Sequence, residues 1–211
     1  MNEIVQRIAA NGVLPVVHID DPKHAKPLAE ALLRGGIDVA EVTFRSDATE
    51  EAIHAIRDAC PEILLGAGTV LTTDRADRAK GAGAAFAITP GFNPTVVTHC
   101  QDIGLPIMPG VATPSEIDQA MMHDLTVLKF FPAANFGGIG TLKALAAPYS
   151  MVSFIPTGGV NPDNLADFLA LPNVLACGGS WLVSRDLVQR EAFDEIEALA
   201  RAARAVADQR G

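Results

Sequence analysis

Short β-branched runs alternate with Ala-rich, charged stretches along the whole chain. The runs VLPVVHI (13–19), DVAEVTF (38–44), EILLGAG (62–68), AAFAIT (84–89), PIMPG (106–110), TVLKFF (126–131), VSFIPT (152–157) and VLACGG (174–179) read as strands. The stretches between them predict helices over 22–33, 49–58, 72–80, 94–101, 114–122, 138–146 and 161–169, with a last helix near 191–208. Ahead of the first strand, MNEIVQRIAANG forms an amphipathic pattern with Ile4, Val5 and Ile8 on one face.

Several helix starts carry their own chemistry. Thr113, Pro114 and Glu116 stand at the N-cap, N1 and N3 positions of one helix. Asn161 and Pro162 suggest the same for another. Gly12, Gly35, Gly36, Gly81 and Gly83 fall where helices should end. Eight strand–helix units predict a parallel sheet with right-handed crossovers. The expected fold is an α/β (β/α)8 barrel, a TIM barrel with an N-terminal capping helix, forming a single domain over 1–211. A doubly wound open sheet would show GxGxxG after its first strand, and GVLPVVHIDDP has nothing of the kind.

The formal net charge of -9 argues against a nucleic-acid partner, because phosphate backbones attract Lys and Arg. Cys60, Cys100 and Cys177 are far apart and form no CxxC pair, so buried, inert thiols in a reducing compartment are expected. No apolar run approaches a membrane span, and the N-terminus lacks the apolar core of a signal peptide. A cytoplasmic protein with no membrane partner is expected.

Polar residues gather where the predicted strands end, which is where a barrel collects its function. Alternation along the second strand puts Glu41, Thr43 and Arg45 on one face. The same parity along the sixth groups Val127, Lys129 and Phe131, against Leu128 and Phe130. An ammonium inside a dry strand is costly. One explanation is a buried structural ion pair between Lys129 and Glu41, although apolar residues of equal volume are seldom less stable there. The other is a Schiff-base lysine. A free lysine, with a pKa near ~10.4, is almost wholly protonated at neutral pH, and apolar walls disfavour that charged form. A nearby Arg45 would push the same way. Gly158–Gly159 and Gly178–Gly179–Ser180 follow the last two strands, where backbone N–H groups of this fold often hold phosphate. His18, His24, His54, His99 and His123 make no HxH or HExxH grouping, so a metal site has little support. Among them, His18 is the one placed to face the barrel mouth. Trp181 is expected to pack over the second glycine loop.

Five blocks in order carry a resemblance: EVTFR (41–45), GAGTV (66–70), KFFPA (129–133), PTGGV (156–160) and GGSWL (178–182). They resemble the 2-keto-3-deoxy-6-phosphogluconate (KDPG) aldolase family, which includes 4-hydroxy-2-oxoglutarate aldolase activity, and the likeness spans essentially the whole chain. It implies a class I lyase that cleaves a phosphorylated 2-keto acid in the Entner–Doudoroff pathway, as a homotrimer, with no metal or other cofactor. By resemblance Lys129 is the Schiff-base residue and Glu41 the general acid/base. Arg45 and Thr69 match contacts to the pyruvate carboxylate, with Pro90 and Phe131 shaping the pocket. Thr157 lies at the same mouth, and Gly158, Gly159, Gly179 and Ser180 match the phosphate loops. Phe44 and Ala134 depart from the family's common leucine and glutamate. An aldolase for the C4-epimeric 6-phosphogalactonate, an isomerase using the same pair without a covalent step, and a non-catalytic phosphometabolite-binding barrel stay open.

Overall fold

The computed structural model describes residues 3–210. Met1, Asn2 and Gly211 of the predicted helix and domain lie outside that range. The chain begins with α1 (Glu3–Asn11), β1 (Val13–Val17), α2 (Ala25–Arg34), β2 (Val39–Thr43), α3 (Thr49–Ala59), β3 (Leu64–Gly68), α4 (Thr73–Ala82), β4 (Phe86–Ile88) and α5 (Pro94–Asp102). It continues through β5 (Ile107–Met108), β6 (Gly110–Val111), α6 (Pro114–Met121), β7 (Val127–Phe130), α7 (Gly138–Leu145), β8 (Ser153–Pro156) and α8 (Leu165–Leu169). It ends with β9 (Cys177–Gly179), α9 (Arg185–Gln189) and α10 (Phe193–Ala207).

All the strand pairs are parallel, as strands joined by helical crossovers should be. Six strands run in the order β5-β4-β3-β2-β1-β9, and three more in the order β6-β7-β8. Parallel bridges from Phe154 to Val174 and from Thr157 to Gly178 tie β8 to the β9 edge. The result is an α/β fold on a curled parallel sheet.

Register fixes what faces inward. Val16 pairs with Glu41, Glu41 with Gly66, Gly110 with Lys129, and Lys129 with Ile155. Residues opposite one another in a parallel pair share a face, so Glu41 and Lys129 belong to the concave side. Leu128, Phe130 and Phe154 face the other way and are wholly buried. The Phe130 and Phe154 rings meet edge to face, 6.3 Å apart at 74°. Burying each such side chain stabilises the fold by roughly 1.5–3 kcal/mol.

The predicted strand at 106–110 is divided. Its first half pairs with β4 and its second with β7. Pro109 stands at the break, has no N–H to give, and offers its carbonyl to the Lys129 amide at 2.9 Å. The divided strand therefore hands the sheet on to β7.

The predicted capping at Thr113 holds: Glu116 Oε2 accepts the Thr113 amide at 2.9 Å. The helix predicted from Asn161 begins only at Leu165. Asn161 Oδ1 instead accepts the Asp163 and Asn164 amides at 2.9 and 3.3 Å, which makes a turn before the helix. The last predicted helix is preceded by α9, set off by Ser184, whose hydroxyl accepts the Leu187 amide. The three cysteines are free and buried. Burial pushes the Cys100 thiol up to about 11 and that of Cys177 up to about 12, which leaves them inert. Among the described residues no helix is long and apolar enough to cross a membrane.

Candidate active site

Glu41 on β2 and Lys129 on β7 meet across the concave face. Lys129 Nζ lies 3.2 Å from Glu41 Oε1 and 3.4 Å from Oε2. The two side chains are 7% and 1% exposed. Taking both charges out of water costs several kcal/mol per ion. A pair kept for structure usually recovers this with further hydrogen bonds, yet Lys129 is the only hydrogen-bond donor to the Glu41 carboxylate among the described residues. Lone pairs are left over, so this carboxylate can take or give a proton at a third group.

Space for that carboxylate comes from Gly68 at the end of β3. A Cβ there would lie 2.6 Å from Glu41 Cγ and 2.7 Å from Cδ, so any larger residue displaces the acid. The sequence reading missed Gly68, although GAGT at a strand end is a signal for close backbone approach.

An aromatic ring walls the amine. The Phe131 ring centroid is 5.5 Å from Lys129 Nζ. Pro90, just beyond β4, sets its carbonyl against Gly110, the residue in register with Lys129. Thr69 follows Gly68 and adopts φ of 58°. A β-branched residue in the left-handed region is strained, and such strain concentrates at sites where the surroundings hold a residue for a purpose.

Arg45 departs from its predicted place. β2 ends at Thr43, and the Arg45 amide turns back to donate to the Thr43 carbonyl. Strand alternation therefore stops before Arg45, which is exposed at the mouth instead of lining the same interior face as Glu41. There it borders a cavity of about 540 Å3 together with Val16, His18, Asp20, Ser180 and Arg185.

Of the two predicted phosphate loops, Gly158–Gly159 lies beyond β8, whereas Gly178 and Gly179 belong to β9 itself, in register with Leu14 and Pro15, and only Ser180 lies beyond that strand. Gly158 and Gly159 adopt φ of 91° and 86°, conformations that suit glycine alone among common residues. Their carbonyls are occupied: Ala134 N–H donates to Gly158 O at 3.0 Å and Asn164 Nδ2 to Gly159 O at 2.9 Å. Their N–H groups donate to nothing among the described residues, which is the arrangement an anion needs. The Phe131 ring edge comes within 3.4 Å of a Cβ built on Gly158, so this loop adjoins the amine's aromatic wall. Thr157 bridges to Gly178, where a side chain would lie 2.9 Å from Thr157 Cβ. Trp181 covers Gly179, as its position after the loop predicts, and Ser180 is exposed.

The fold therefore brings Lys129, Glu41 and Phe131 together, sets Pro90 against Gly110 on the neighbouring strand, places the Gly158–Gly159 loop beside Phe131, and joins Arg45 to Ser180 through one cavity. Comparison with known proteins accords with this arrangement. The family described as "Aldolase: KDPG and KHG aldolase" matches residues 4–199. The 2-dehydro-3-deoxy-phosphogluconate aldolase of Treponema pallidum is 50% identical over 189 residues, covering 90% of each chain. That of Haemophilus influenzae is 43% identical over 94% of each chain. A crystal structure of KDPG aldolase from Legionella pneumophila, with pyruvate captured at low pH as a covalent carbinolamine intermediate, superposes with a TM-score of 0.92 at 39% identity, over 96% of this chain and 98% of that one. With a family model matching residues 4–199 and a relative 50% identical over 189 residues, this chain belongs to the KDPG and KHG aldolase family.

Proposed function

We propose that the chain is a class I aldolase that cleaves 2-keto-3-deoxy-6-phosphogluconate to pyruvate and glyceraldehyde 3-phosphate, and 4-hydroxy-2-oxoglutarate to pyruvate and glyoxylate. The observation that carries this is the buried amine of Lys129, 3.2 Å from a carboxylate with no other donor among the described residues. Lys129 Nζ attacks the C2 ketone. Glu41 passes protons as the carbinolamine loses water to become an iminium. Loss of the C4 hydroxyl proton then breaks the C3–C4 bond, and its electron pair enters the iminium to give an enamine. Glyceraldehyde 3-phosphate leaves. Protonation of the enamine at C3 and hydrolysis of the resulting iminium release pyruvate and the free lysine.

Arg45 pairs with the substrate carboxylate, as a guanidinium fork suits. Thr69, Pro90 and Phe131 shape the pyruvate pocket. Thr157 and the N–H groups around Gly158, Gly159, Gly179 and Ser180 hold the phosphate. The crystal structure of the Zymomonas mobilis ZM4 enzyme with 3-phosphoglycerate, at a TM-score of 0.90 and 37% identity, supports a phosphorylated ligand in this fold. The same reading closes the sheet into one (β/α)8 barrel domain over 1–211, capped by α1; the Thr157–Gly178 bridge and the handover at Pro109 support that closure. It takes no metal or other cofactor. It places the chain in the cytoplasm, as a homotrimer, which sedimentation at micromolar concentration would measure.

Borohydride with pyruvate tests the assignment. A stable mass increase on the peptide holding Lys129 is expected; no adduct, or one on Lys143 instead, removes it. Pyruvate release from the 6-phosphogluconate- and 6-phosphogalactonate-derived keto acids then fixes the C4 configuration.

A further inference from the structure

The mouth of β1 holds a polar group that none of these steps uses. His18 directly follows β1, whose register sets Leu14 opposite Gly178 and Val16 opposite Glu41. His18 lies just past the strand end, and it borders the same cavity at the mouth as Val16. Its Nε2 lies 2.9 Å from Asp20 Oδ1. Asp20 also accepts from Arg185 Nε at 2.7 Å, Arg185 Nη2 at 3.1 Å and Gln189 Nε2 at 3.2 Å. The Arg185 hydrogen bond above all holds the Asp20 carboxyl below its ordinary range. Asp20 is therefore an ionised acceptor, and the proton of a neutral imidazole belongs on Nε2. Nδ1 is left as a bare acceptor. It has no partner among the described residues and is itself enclosed, so a ligand meets it when the ring, 19% exposed at the cavity wall, tilts outward. A buried orphan acceptor is costly unless a ligand pairs with it.

Its place in the sheet says which part of a ligand it meets. In the order β2-β1-β9, β1 lies between the strand that leads to Arg45 and the strand that leads to Ser180. Arg45, His18 and Ser180 line the same cavity. Resting on the aldolase reading, the substrate carboxylate lies toward Arg45 and the phosphate toward Ser180, with hydroxylated carbon between them. The C4 hydroxyl gives up its proton where the bond breaks, which leaves the C5 hydroxyl in need of a partner. A hydroxyl donor and a bare imidazole nitrogen match.

We propose that His18 is a specificity-determining residue: its Nδ1 accepts a hydrogen bond from the substrate's C5 hydroxyl, and Asp20 and Arg185 are positioning residues that fix its tautomer and orientation. A site built to pair a substrate hydroxyl discriminates strongly against an analogue that lacks it, whereas an apolar wall does not.

The test runs the reaction toward synthesis, with pyruvate and either glyceraldehyde 3-phosphate or 3-phosphooxypropanal, which lacks that hydroxyl. The ratio of kcat/KM between the two aldehydes is the readout, because it cancels any loss of folded enzyme. The wild-type protein favours the hydroxylated aldehyde. His18→Leu lowers the ratio about tenfold or more. His18→Asn, whose Oδ1 takes the place of Nδ1, restores part of it, and Asp20→Asn lowers it to an intermediate value. A ratio that His18→Leu leaves unchanged overturns the proposal. Borohydride trapping with pyruvate keeps the two readings apart. An adduct on Lys129 with an unchanged ratio overturns the role of His18 alone, while no adduct in the wild-type protein overturns the aldolase reading and this inference with it.

Discussion

Two acids, one at the entry to β2 and one at its middle, each meet a cation, and they differ in how completely the acid is satisfied. At the entry, Asp38 accepts from Arg7 Nε at 3.0 Å and from Asn11 Nδ2 at 2.6 Å, while Asn11 Oδ1 takes the Asp38 amide at 3.2 Å. That cluster is partly open to solvent and ties α1 to the start of the strand. Burial raises the Asp38 carboxyl, but the Arg7 and Asn11 hydrogen bonds together outweigh it and hold the group below its ordinary range. Three residues on, Glu41 is almost fully enclosed and has Lys129 alone as donor among the described residues. The satisfied acid holds two elements in place. The unsatisfied one is expensive to bury and keeps capacity for a third group. Degree of satisfaction, and not the mere presence of an ion pair, separates the architectural acid from the chemical one.

Removing the amine should break this contrast most completely. Lys129→Met is expected to lower pyruvate release by about 10^4-fold or more, because the covalent route disappears. Asp38→Asn should stay within about twofold of wild type, consistent with a group remote from the chemistry. Comparable losses at the two sites would erase the distinction.

Glu41→Gln keeps the shape and loses the proton carrier, so turnover should fall by roughly 10^2–10^4-fold. Its pyruvate adduct on Lys129 should still form under borohydride, only more slowly. An adduct that forms at the wild-type rate would take the proton shuttle away from Glu41.

Gly68→Ala sharpens the comparison without touching either ionisable group. The new Cβ would meet the Glu41 carboxyl group, and misplacement on the scale of an ångström costs on the order of 10^2-fold in rate. Unaltered kinetics in this variant would mean that the position of the acid is not critical.

Stability should rank the two sites in the opposite order. Asp38→Ala is expected to lose about 1–2 kcal/mol in urea unfolding, since it strips partners from Arg7 and Asn11. Replacing both members of the inner pair, Lys129→Met with Glu41→Leu, should be neutral or stabilising by up to about 4 kcal/mol while abolishing activity. A double variant that unfolds far more readily than wild type would make the inner pair structural after all.

The smallest expected effect is in pH. Asp38 has a native value below its ordinary 3.8, so its stabilisation is fully present above 3.8 and fades as pH falls through the lower native value. Thermal unfolding followed from pH 5 to pH 2.5 should show wild type losing stability over that acidic window, with Arg7→Met showing a shallower slope. Parallel curves would remove Arg7 from the account.

Much of this contrast was legible in the chain. Period-two alternation is a local property of an extended backbone, so Lys129 and Glu41 could each be placed on an inward face from their own strands. The cap at Thr113 and the glycine turn after β8 are equally local, since they depend on neighbours a few residues away, whereas the second glycine pair, read as a loop, belongs to β9. Prediction failed where a local signal had two uses. Asn161 caps a turn as readily as a helix, and Ser184 opened a short helix that hydrophobic periodicity did not reveal. Arg45 was given a strand's alternation beyond the residue at which pairing ends.

By itself, the sequence determined the strand–helix rhythm, the family, and the kinds of group the site would hold, because composition, turn chemistry and periodicity act over a few residues at a time. Only the tertiary structure decided how they combine: the 3.2 Å approach of Lys129 to Glu41, the room that Gly68 leaves for the acid, the handover of the sheet at Pro109, and the stranded nitrogen of His18. Each depends on residues far apart in the chain brought into contact by the curl of the sheet, and no local rule states which partners a buried polar atom will find or lack.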